Sequence, residues 1–125
     1  MTENIPSESH EQMIFVQWFK RTFPDIRILS IPNGGHRHIA VAAKMKAEGQ
    51  SAGLPDLFIP AFRLFVEMKR IKGGSVSPEQ KDWIAYLQSV GYCVEVCKGA
   101  EDAKSKIQAF KPPVISRLPP SPCWR

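Results

Sequence analysis

The stretch GLPDLFIPAFRLFVEMKR, residues 53–70, decides the fold, because it contains two short strands joined by a tight turn. Residues 57–59 are apolar and follow a Gly-Leu-Pro-Asp loop, and the turn is expected at residues 60–63. The second strand is expected over residues 64–71, where side chains alternate between the two faces of a sheet. The pattern therefore places three side chains, two of them charged, on one face: Phe65, Glu67 and Lys69.

The register of this hairpin brings two carboxylates together. If the turn is centred between Ala61 and Phe62, residues equally distant from that point face each other, so Asp56 lies opposite Glu67. Directly opposite side chains have Cβ atoms about 4.5–5.5 Å apart, a distance at which two carboxylates repel each other. A divalent cation between them removes this repulsion, whereas a slip of one residue would move one carboxylate to the other face. The spacing therefore predicts a metal site beside Lys69.

Each of these residues alone also has a simpler interpretation. Asp56 is compatible with a turn residue, and Glu67 with Lys69 is compatible with a solvated strand face. Their convergence beside two glycine-rich loops favours a catalytic site. Mg²⁺ suits such a site, because it is usually held by one or two carboxylates together with water and phosphate. The metal would polarise a phosphoryl oxygen and lower the pKa of the attacking water, while Lys69 would contact a phosphate or orient that water.

The segments outside the hairpin predict an α/β fold, a mixed sheet flanked by helices. Ser77 as N-cap, Pro78 at the first helical position and Gln80 at the third predict a capped helix after the hairpin. The whole order is α-β-α-β-β-α-β-α, a single layered domain. Besides the hairpin, the expected segments are helix 9–22, strand 27–31, helix 37–48, a helix beginning at residue 78, strand 92–97 and helix 101–110.

The bulk composition indicates one globular domain that attracts polyanions. A chain of 125 residues, 43% hydrophobic and 23% charged, has material for one core. The net charge of +5 is consistent with a nucleic-acid partner, although enzymes with small-molecule substrates can be equally basic. No apolar run approaches the roughly 18 residues that cross a bilayer, and the polar N-terminus lacks a signal-peptide pattern. We therefore expect a cytoplasmic (intracellular) protein with no membrane partner.

Glu11 lies on the apolar side of the first helix, because it precedes Phe15 by four residues and Trp18 by seven. Burying a carboxylate without a partner is costly, by roughly several kcal/mol. A functional acid and a solvated first-turn acid that complements the helix N-terminus are both compatible with this position.

The ends of the chain differ in composition from its centre. Residues 1–8 are expected to be flexible, residues 9–110 to form the folded domain, and residues 111–125, with five prolines, to form an extended tail. An odd number of cysteines, with no second pair at zinc-ligand spacing, predicts free thiols rather than disulfides or a zinc site. These cysteines are Cys93, Cys97 and Cys123, the first two on one face of the strand expected at residues 92–97.

The hairpin stretch resembles the PD-(D/E)xK nuclease motif, with Pro55-Asp56 followed by Glu67-Met68-Lys69. Several companion residues resemble the VRR-NUC family within that superfamily, and the ordered set covers about residues 9–108. These companions are Glu11-Gln12, Pro32-Asn33-Gly34-Gly35, Gly53-x-Pro55-Asp56 and Ser77-x-x-Gln80.

The resemblance implies a restriction-endonuclease-like core that hydrolyses phosphodiester bonds with Mg²⁺ or Mn²⁺. It implies that Lys69 is the catalytic lysine and that Gln80 supports the site from the adjacent helix, although its capping role is a sufficient alternative. The metal ligands that it implies are Asp56, Glu67, the backbone carbonyl of Met68 and Glu11.

Small stand-alone members of this family, of phage or bacterial type, resemble homodimers that act on branched DNA such as Holliday junctions. A two-fold dimer would present two sites to a four-way junction. A catalytically weak DNA-binding module, a flap or nick nuclease and a small-molecule metallohydrolase remain alternatives. An HNH-type site that uses His36 or His38 lacks the expected partner residues. The candidate DNA contacts are Asn33, His36, Arg37 and Lys81.

Overall fold

The computed structural model describes residues 5–32 and 39–111, and these residues form four α-helices and four strands in the expected order. The α/β architecture with a mixed sheet flanked by helices is thereby confirmed. Within the described ranges, none of the helices has the length and apolar character needed to cross a membrane. The helices are α1 (Glu8–Thr22), α2 (Ile39–Ala47), α3 (Pro78–Ser89) and α4 (Ala100–Ala109), and the strands are β1 (Leu29–Ser30), β2 (Leu57–Ile59), β3 (Leu64–Lys69) and β4 (Cys93–Lys98).

The sheet has the order β1-β2-β3-β4, with antiparallel pairing up to β3 and parallel pairing between β3 and β4. In the hairpin Ile59 pairs with Leu64, which is the register expected from the sequence. Arg63 completes the turn in the left-handed conformation, with a φ of 49°, and its backbone N–H donates to the Pro60 carbonyl over 3.0 Å. The short turn therefore fixes which residues of the two strands face each other.

Two strands are shorter than the sequence pattern predicts. The pattern predicts β1 over residues 27–31, but only Leu29 and Ser30 form the strand, and both are exposed. Among the described residues β1 lies at the edge of the sheet, and its neighbour β2 is three residues long, so β1 has few partners to pair with. β3 likewise ends at Lys69 rather than at residue 71, because its last partner in β4 is Lys98.

The main core lies between one face of the sheet and helices α1 and α4. Phe15 and Phe19 of α1 are fully buried against Val66 and Met68 of β3 and Ile107 of α4. Full burial of one such side chain contributes about 1.5–3 kcal/mol. Since side chains alternate along a strand, Phe65, Glu67 and Lys69 point to the opposite face.

The opposite face of the sheet carries an aromatic cluster and, beside it, polar residues. The rings of Phe58 and Phe65 stack with centroids 4.3 Å apart, and Tyr92 meets Phe65 edge-on at 5.4 Å. Farther along the same face, Glu67 and Lys69 contact α3. The expectation that these two residues share a face with Phe65 is confirmed.

The two cysteines of β4 are free thiols. Cys97 is buried in the core and Cys93 packs against the same cluster, so the expectation that they share a face is confirmed. Burial raises the pKa of the Cys97 thiol to about 12. Cys123 and the rest of the proline-rich segment from residue 112 lie outside the described residues.

Candidate active site

Asp56 is tied to the strands on both sides of it. Its backbone carbonyl accepts a hydrogen bond from the N–H of Ile31 over 2.8 Å, just beyond β1. Its carboxylate oxygen Oδ2 accepts one from the backbone N–H of Met68 over 2.9 Å. The side chain therefore continues the pairing of β2 with β3 past the last ladder pair, Leu57 with Val66. This holds the carboxylate against β3, beside Glu67.

Glu67 is a buried carboxylate whose two oxygens differ in their surroundings. Its side chain is 3% exposed, and Oε1 accepts a hydrogen bond from Gln80 Nε2 over 2.9 Å. The same Oε1 lies 3.4 Å from Lys69 Nζ. Oε2 is also buried, but it has no hydrogen-bond partner among the described residues. A buried polar atom without a partner is costly, so Oε2 is an atom that a further ligand would stabilise.

Lys69 is buried next to Glu67, with a side chain that is 8% exposed. Its ammonium group donates a hydrogen bond to Gln80 Oε1 over 2.9 Å, a shorter contact than the one to Glu67. Its backbone carbonyl accepts from the N–H of Gly99 over 3.0 Å, which holds the end of β3 in place. The lysine therefore lies between a neutral amide oxygen and a carboxylate.

Gln80 caps α3 and also contacts both charged residues of β3, while its support of catalysis stays a prediction. Its backbone N–H donates to Ser77 Oγ over 3.2 Å, and its side-chain Oε1 accepts from the backbone N–H of Ser77 over 2.9 Å. This is the expected capping box, and Pro78 occupies the first turn. The same amide reaches Lys69 with its oxygen and Glu67 with its nitrogen. One side chain therefore begins α3 and connects both charged residues of β3.

The close carboxylates hold protons more tightly than isolated ones. Burial and then the negative charge of Asp56 raise the pKa of Glu67 from 4.5 to about 7, and Lys69 opposes the increase. Burial also raises the pKa of Asp56, whereas the hydrogen bond from the Met68 N–H and the charge of Lys69 lower it. The repulsion expected from the hairpin register is therefore present in the folded protein.

These features fit a divalent cation held by Asp56 and Glu67. The two carboxylates are adjacent and desolvated, and one buried oxygen of Glu67 lacks a partner among the described residues. No group of three or more Asp, Glu, His or Cys side chains within residues 5–32 and 39–111 is arranged to hold a metal. The protein ligands would therefore be few, as is usual for Mg²⁺, which keeps several waters and also binds substrate phosphates.

Glu11 contacts the N-terminus of α4. It is 5% exposed, and its Oε2 accepts a hydrogen bond from the backbone N–H of Ala100 over 2.7 Å. The Ala100 N–H is one of the first N–H groups of α4, which have no acceptor within the helix, and Glu11 supplies one. This contact across the fold explains why the carboxylate can be buried on the apolar side of α1. Its predicted role as a metal ligand stays a prediction.

The structure describes one of the four predicted DNA contacts. Asn33, His36 and Arg37 lie outside the described residues. Lys81 is exposed in the first turn of α3, next to Gln80. The backbone carbonyl of Met68 as a metal ligand stays a prediction.

Gly53 fixes the loop that carries Asp56 against α3. Its φ is +93°, and a Cβ placed there would lie 2.7 Å from the backbone carbonyl carbon and oxygen of Glu79. Only a residue without a side chain allows both this backbone conformation and this approach. The sequence indicated a special loop through the Gly-x-Pro-Asp motif, but the partner, Glu79, is known only from the tertiary contact.

Comparisons with known proteins identify the fold and the family. A solved structure described as a VRR_NUC domain protein is 31% identical to this chain, with a TM-score of 0.73, and the match covers 86% of this chain and 90% of that one. The Fanconi-associated nuclease 1 homolog of Oryza sativa subsp. japonica is 29% identical over an alignment of 101 residues that covers 73% of this chain. The match spans only 10% of that relative's length. The family model of the VRR-NUC domain matches residues 4–101, and the chain therefore belongs to the VRR-NUC family of nuclease domains.

Proposed function

We propose that this protein is a metal-dependent endonuclease that hydrolyses phosphodiester bonds in DNA. The observation that carries the proposal is the buried Glu67, with an unpartnered carboxylate oxygen, between the half-buried Asp56 and the buried Lys69. A structural sheet gains nothing from two desolvated carboxylates in contact, whereas a cation that binds both offsets their repulsion. The nuclease family and the net charge of +5 support a polyanionic substrate.

Asp56 and Glu67 would hold Mg²⁺ or Mn²⁺, with the Met68 carbonyl and Glu11 as further proposed ligands. When bound, the metal supplies Lewis-acid polarisation of the scissile phosphate and a lower pKa for the attacking water. Lys69 provides a positive charge at a fixed place, since Gln80 and Glu67 both contact its ammonium group. It would contact a phosphate oxygen and orient the water for attack.

For the substrate we propose branched DNA, with a Holliday junction cut by a homodimer as the leading case. A two-fold dimer would present two equivalent sites, and a four-way junction has matching symmetry. Asn33, His36, Arg37 and the exposed Lys81 would contact phosphates outside the catalytic pair. A dimer would be required for paired incisions, but not for hydrolysis at one site.

A cleavage panel tests the proposal. The protein is incubated with labelled four-way junction, flap, nicked and linear duplex DNA in Mg²⁺, Mn²⁺ or EDTA. Cleavage is expected with either metal, to be fastest on the junction and to be absent in EDTA. Lys69→Ala should keep DNA binding but lose roughly two to four orders of magnitude in rate, the usual contribution of a positioned acid–base group.

The possible outcomes separate the alternatives. Binding of DNA without metal-dependent cutting would contradict the nuclease proposal and support a DNA-binding module of the same fold. Preference for flaps or nicks would overturn the junction assignment but keep the chemistry. Sedimentation of the free and junction-bound protein measures the dimer, and a monomer that still makes paired incisions would refute its proposed role.

A further inference from the structure

The side-chain amide of Gln80 has a defined orientation, because its two ends contact different groups. The oxygen Oε1 accepts hydrogen bonds from the backbone N–H of Ser77 and from Lys69 Nζ, each 2.9 Å long. The nitrogen Nε2 donates to Glu67 Oε1, also over 2.9 Å. All three contacts are therefore satisfied by the same rotamer of one planar group.

A rotation of the amide by 180° would reverse every one of these contacts. The NH₂ group would then face two donors, Ser77 and Lys69, while the oxygen would face the carboxylate of Glu67. The shape of the amide is almost the same in both orientations, so packing alone does not select one. The hydrogen-bond partners select it.

The three hydrogen-bond partners of the Gln80 amide differ in whether a ligand of the site could compete for them. Lys69 and Glu67 are the charged groups of the proposed site, so a bound cation or a phosphate competes with Gln80 for them. The backbone N–H of Ser77 belongs to the start of α3, and it remains a donor whatever the site binds. We propose that the Ser77 backbone N–H is a positioning group of the active site, which acts through Gln80 to place Lys69 and Glu67.

This positioning limits how closely the lysine approaches the carboxylate. Lys69 Nζ is closer to the Gln80 oxygen, at 2.9 Å, than to Glu67 Oε1, at 3.4 Å. If the amide loses its orientation, the nearest acceptor left to the ammonium group is Glu67. The ion pair between them, now 3.4 Å long, would then shorten and compete with the proposed cation for Glu67. The inference rests on the proposed nuclease function for its effect on rate, but not for its effect on the Gln80 amide.

Two substitutions at one position separate the N–H from the side chain of Ser77. Ser77→Ala removes Oγ and keeps the N–H, whereas Ser77→Pro removes both. The backbone suits proline, since Ser77 has a φ of −73° and a ψ of 163°. Both variants lose the cap hydrogen bond to Gln80 N. Ser77→Pro also loses the bond from the Ser77 N–H, about 0.5–1.5 kcal/mol, but its restriction of the unfolded chain offsets about 0.4–1 kcal/mol, so the two variants should have similar stability.

The expected result is a separation of activity from stability. Cleavage by Ser77→Pro should be about ten-fold slower than by Ser77→Ala, with DNA affinity in EDTA unchanged. Ala85→Gly is the control, because Ala85 is exposed in the middle of α3 and its replacement weakens the same helix away from the site. This control should lower the unfolding temperature and leave the rate unchanged.

The same comparison in a Gln80→Ala background tests whether Gln80 transmits the effect. Ser77→Pro and Ser77→Ala should then cleave equally fast. A difference that persists without Gln80 would overturn the proposal, since it would reflect distortion by proline. Equal rates in the presence of Gln80 would overturn it as well.

A measurement that needs no cleavage keeps the proposal testable if the nuclease function fails. In ¹⁵N NMR spectra the side-chain NH₂ of Gln80, assigned by its loss in Gln80→Ala, should show protected exchange in wild type and Ser77→Ala. The protection should fall to that of exposed glutamines in Ser77→Pro. Unchanged protection in Ser77→Pro would refute the positioning role, whereas a wild type that never cuts DNA would refute only the proposed function.

Discussion

Replacing Glu67 by glutamine is expected to remove a pH-dependent loss of stability from the metal-free protein. Glu67 is desolvated and faces Asp56 from the loop before β2, Lys69 on its own strand and the neutral Gln80 of α3. Burial and Asp56 raise its pKa from 4.5 to about 7 in the folded state. The folded protein therefore binds this proton more tightly than the unfolded chain does.

The sign of the effect follows from linkage. A carboxyl group with a raised pKa in the folded state stabilises that state fully below pH 4.5, and the contribution is lost as the pH rises to about 7. At about 1.4 kcal/mol per pH unit, the loss amounts to about 3 kcal/mol and is complete above neutrality. Solvent screens this effect little, because the Glu67 side chain is only 3% exposed.

The assay is urea denaturation in EDTA at a series of pH values between 4 and 8.5, for wild type and Glu67→Gln. The variant keeps the shape of the protonated side chain and cannot ionise. Between pH 4 and 8.5 its free energy of unfolding should therefore fall by about 3 kcal/mol less than that of wild type. Adding Mn²⁺ at pH 8 should stabilise wild type and have a much smaller effect on the variant. Parallel curves for the two proteins would refute the reasoning that Glu67 is ionised at a cost in the metal-free fold.

Two further predictions concern residues that position the site. Gly53→Ala should cost clearly more stability than Gly49→Ala. Both glycines have a positive φ, which alone should cost roughly 1–2 kcal/mol, but only at Gly53 would the added Cβ lie 2.7 Å from backbone atoms of Glu79. Equal losses in denaturation would contradict the close approach. Glu11→Ala should lose about 1–3 kcal/mol, since the N–H of Ala100 loses its acceptor, whereas Glu11→Gln keeps one and should be near wild type in the same assay. If Glu11→Gln were as unstable as Glu11→Ala, the capping role would be wrong, and the cleavage rate of the glutamine variant tests the predicted metal ligation.

The hairpin shows why part of the site could be predicted from the sequence. A strand has a side-chain period of two, and a short turn fixes the register, so the positions of Asp56, Glu67 and Lys69 follow from a stretch of 18 residues, 53–70. The capping box of α3 is equally local, because Ser77 and Gln80 are three residues apart. The residues that decide such features are close in sequence, and no other part of the fold can easily alter them.

Other features of the site depend on partners that no local pattern specifies. The acceptor of the Ala100 N–H is Glu11, 89 positions away, and the sequence could show only that a carboxylate occurs on an apolar helix face. The hydrogen bond from the Met68 N–H to Asp56 Oδ2 requires that the ladder of β2 and β3 ends at Leu57 and does not include Asp56. β1 is shorter than its apolar pattern predicts because its neighbour in the sheet, β2, is short.

The sequence by itself determined the α/β order, the hairpin register and the convergence of two carboxylates with a lysine, because periodicity, turn length and capping act over a few residues. Only the tertiary structure decided how those groups are connected. Packing of α3 against β3 brings one glutamine into contact with Glu67 and Lys69, and burial there raises the pKa of Glu67. Such contacts arise from elements that meet in space, and their energies depend on desolvation, which the order of residues does not specify.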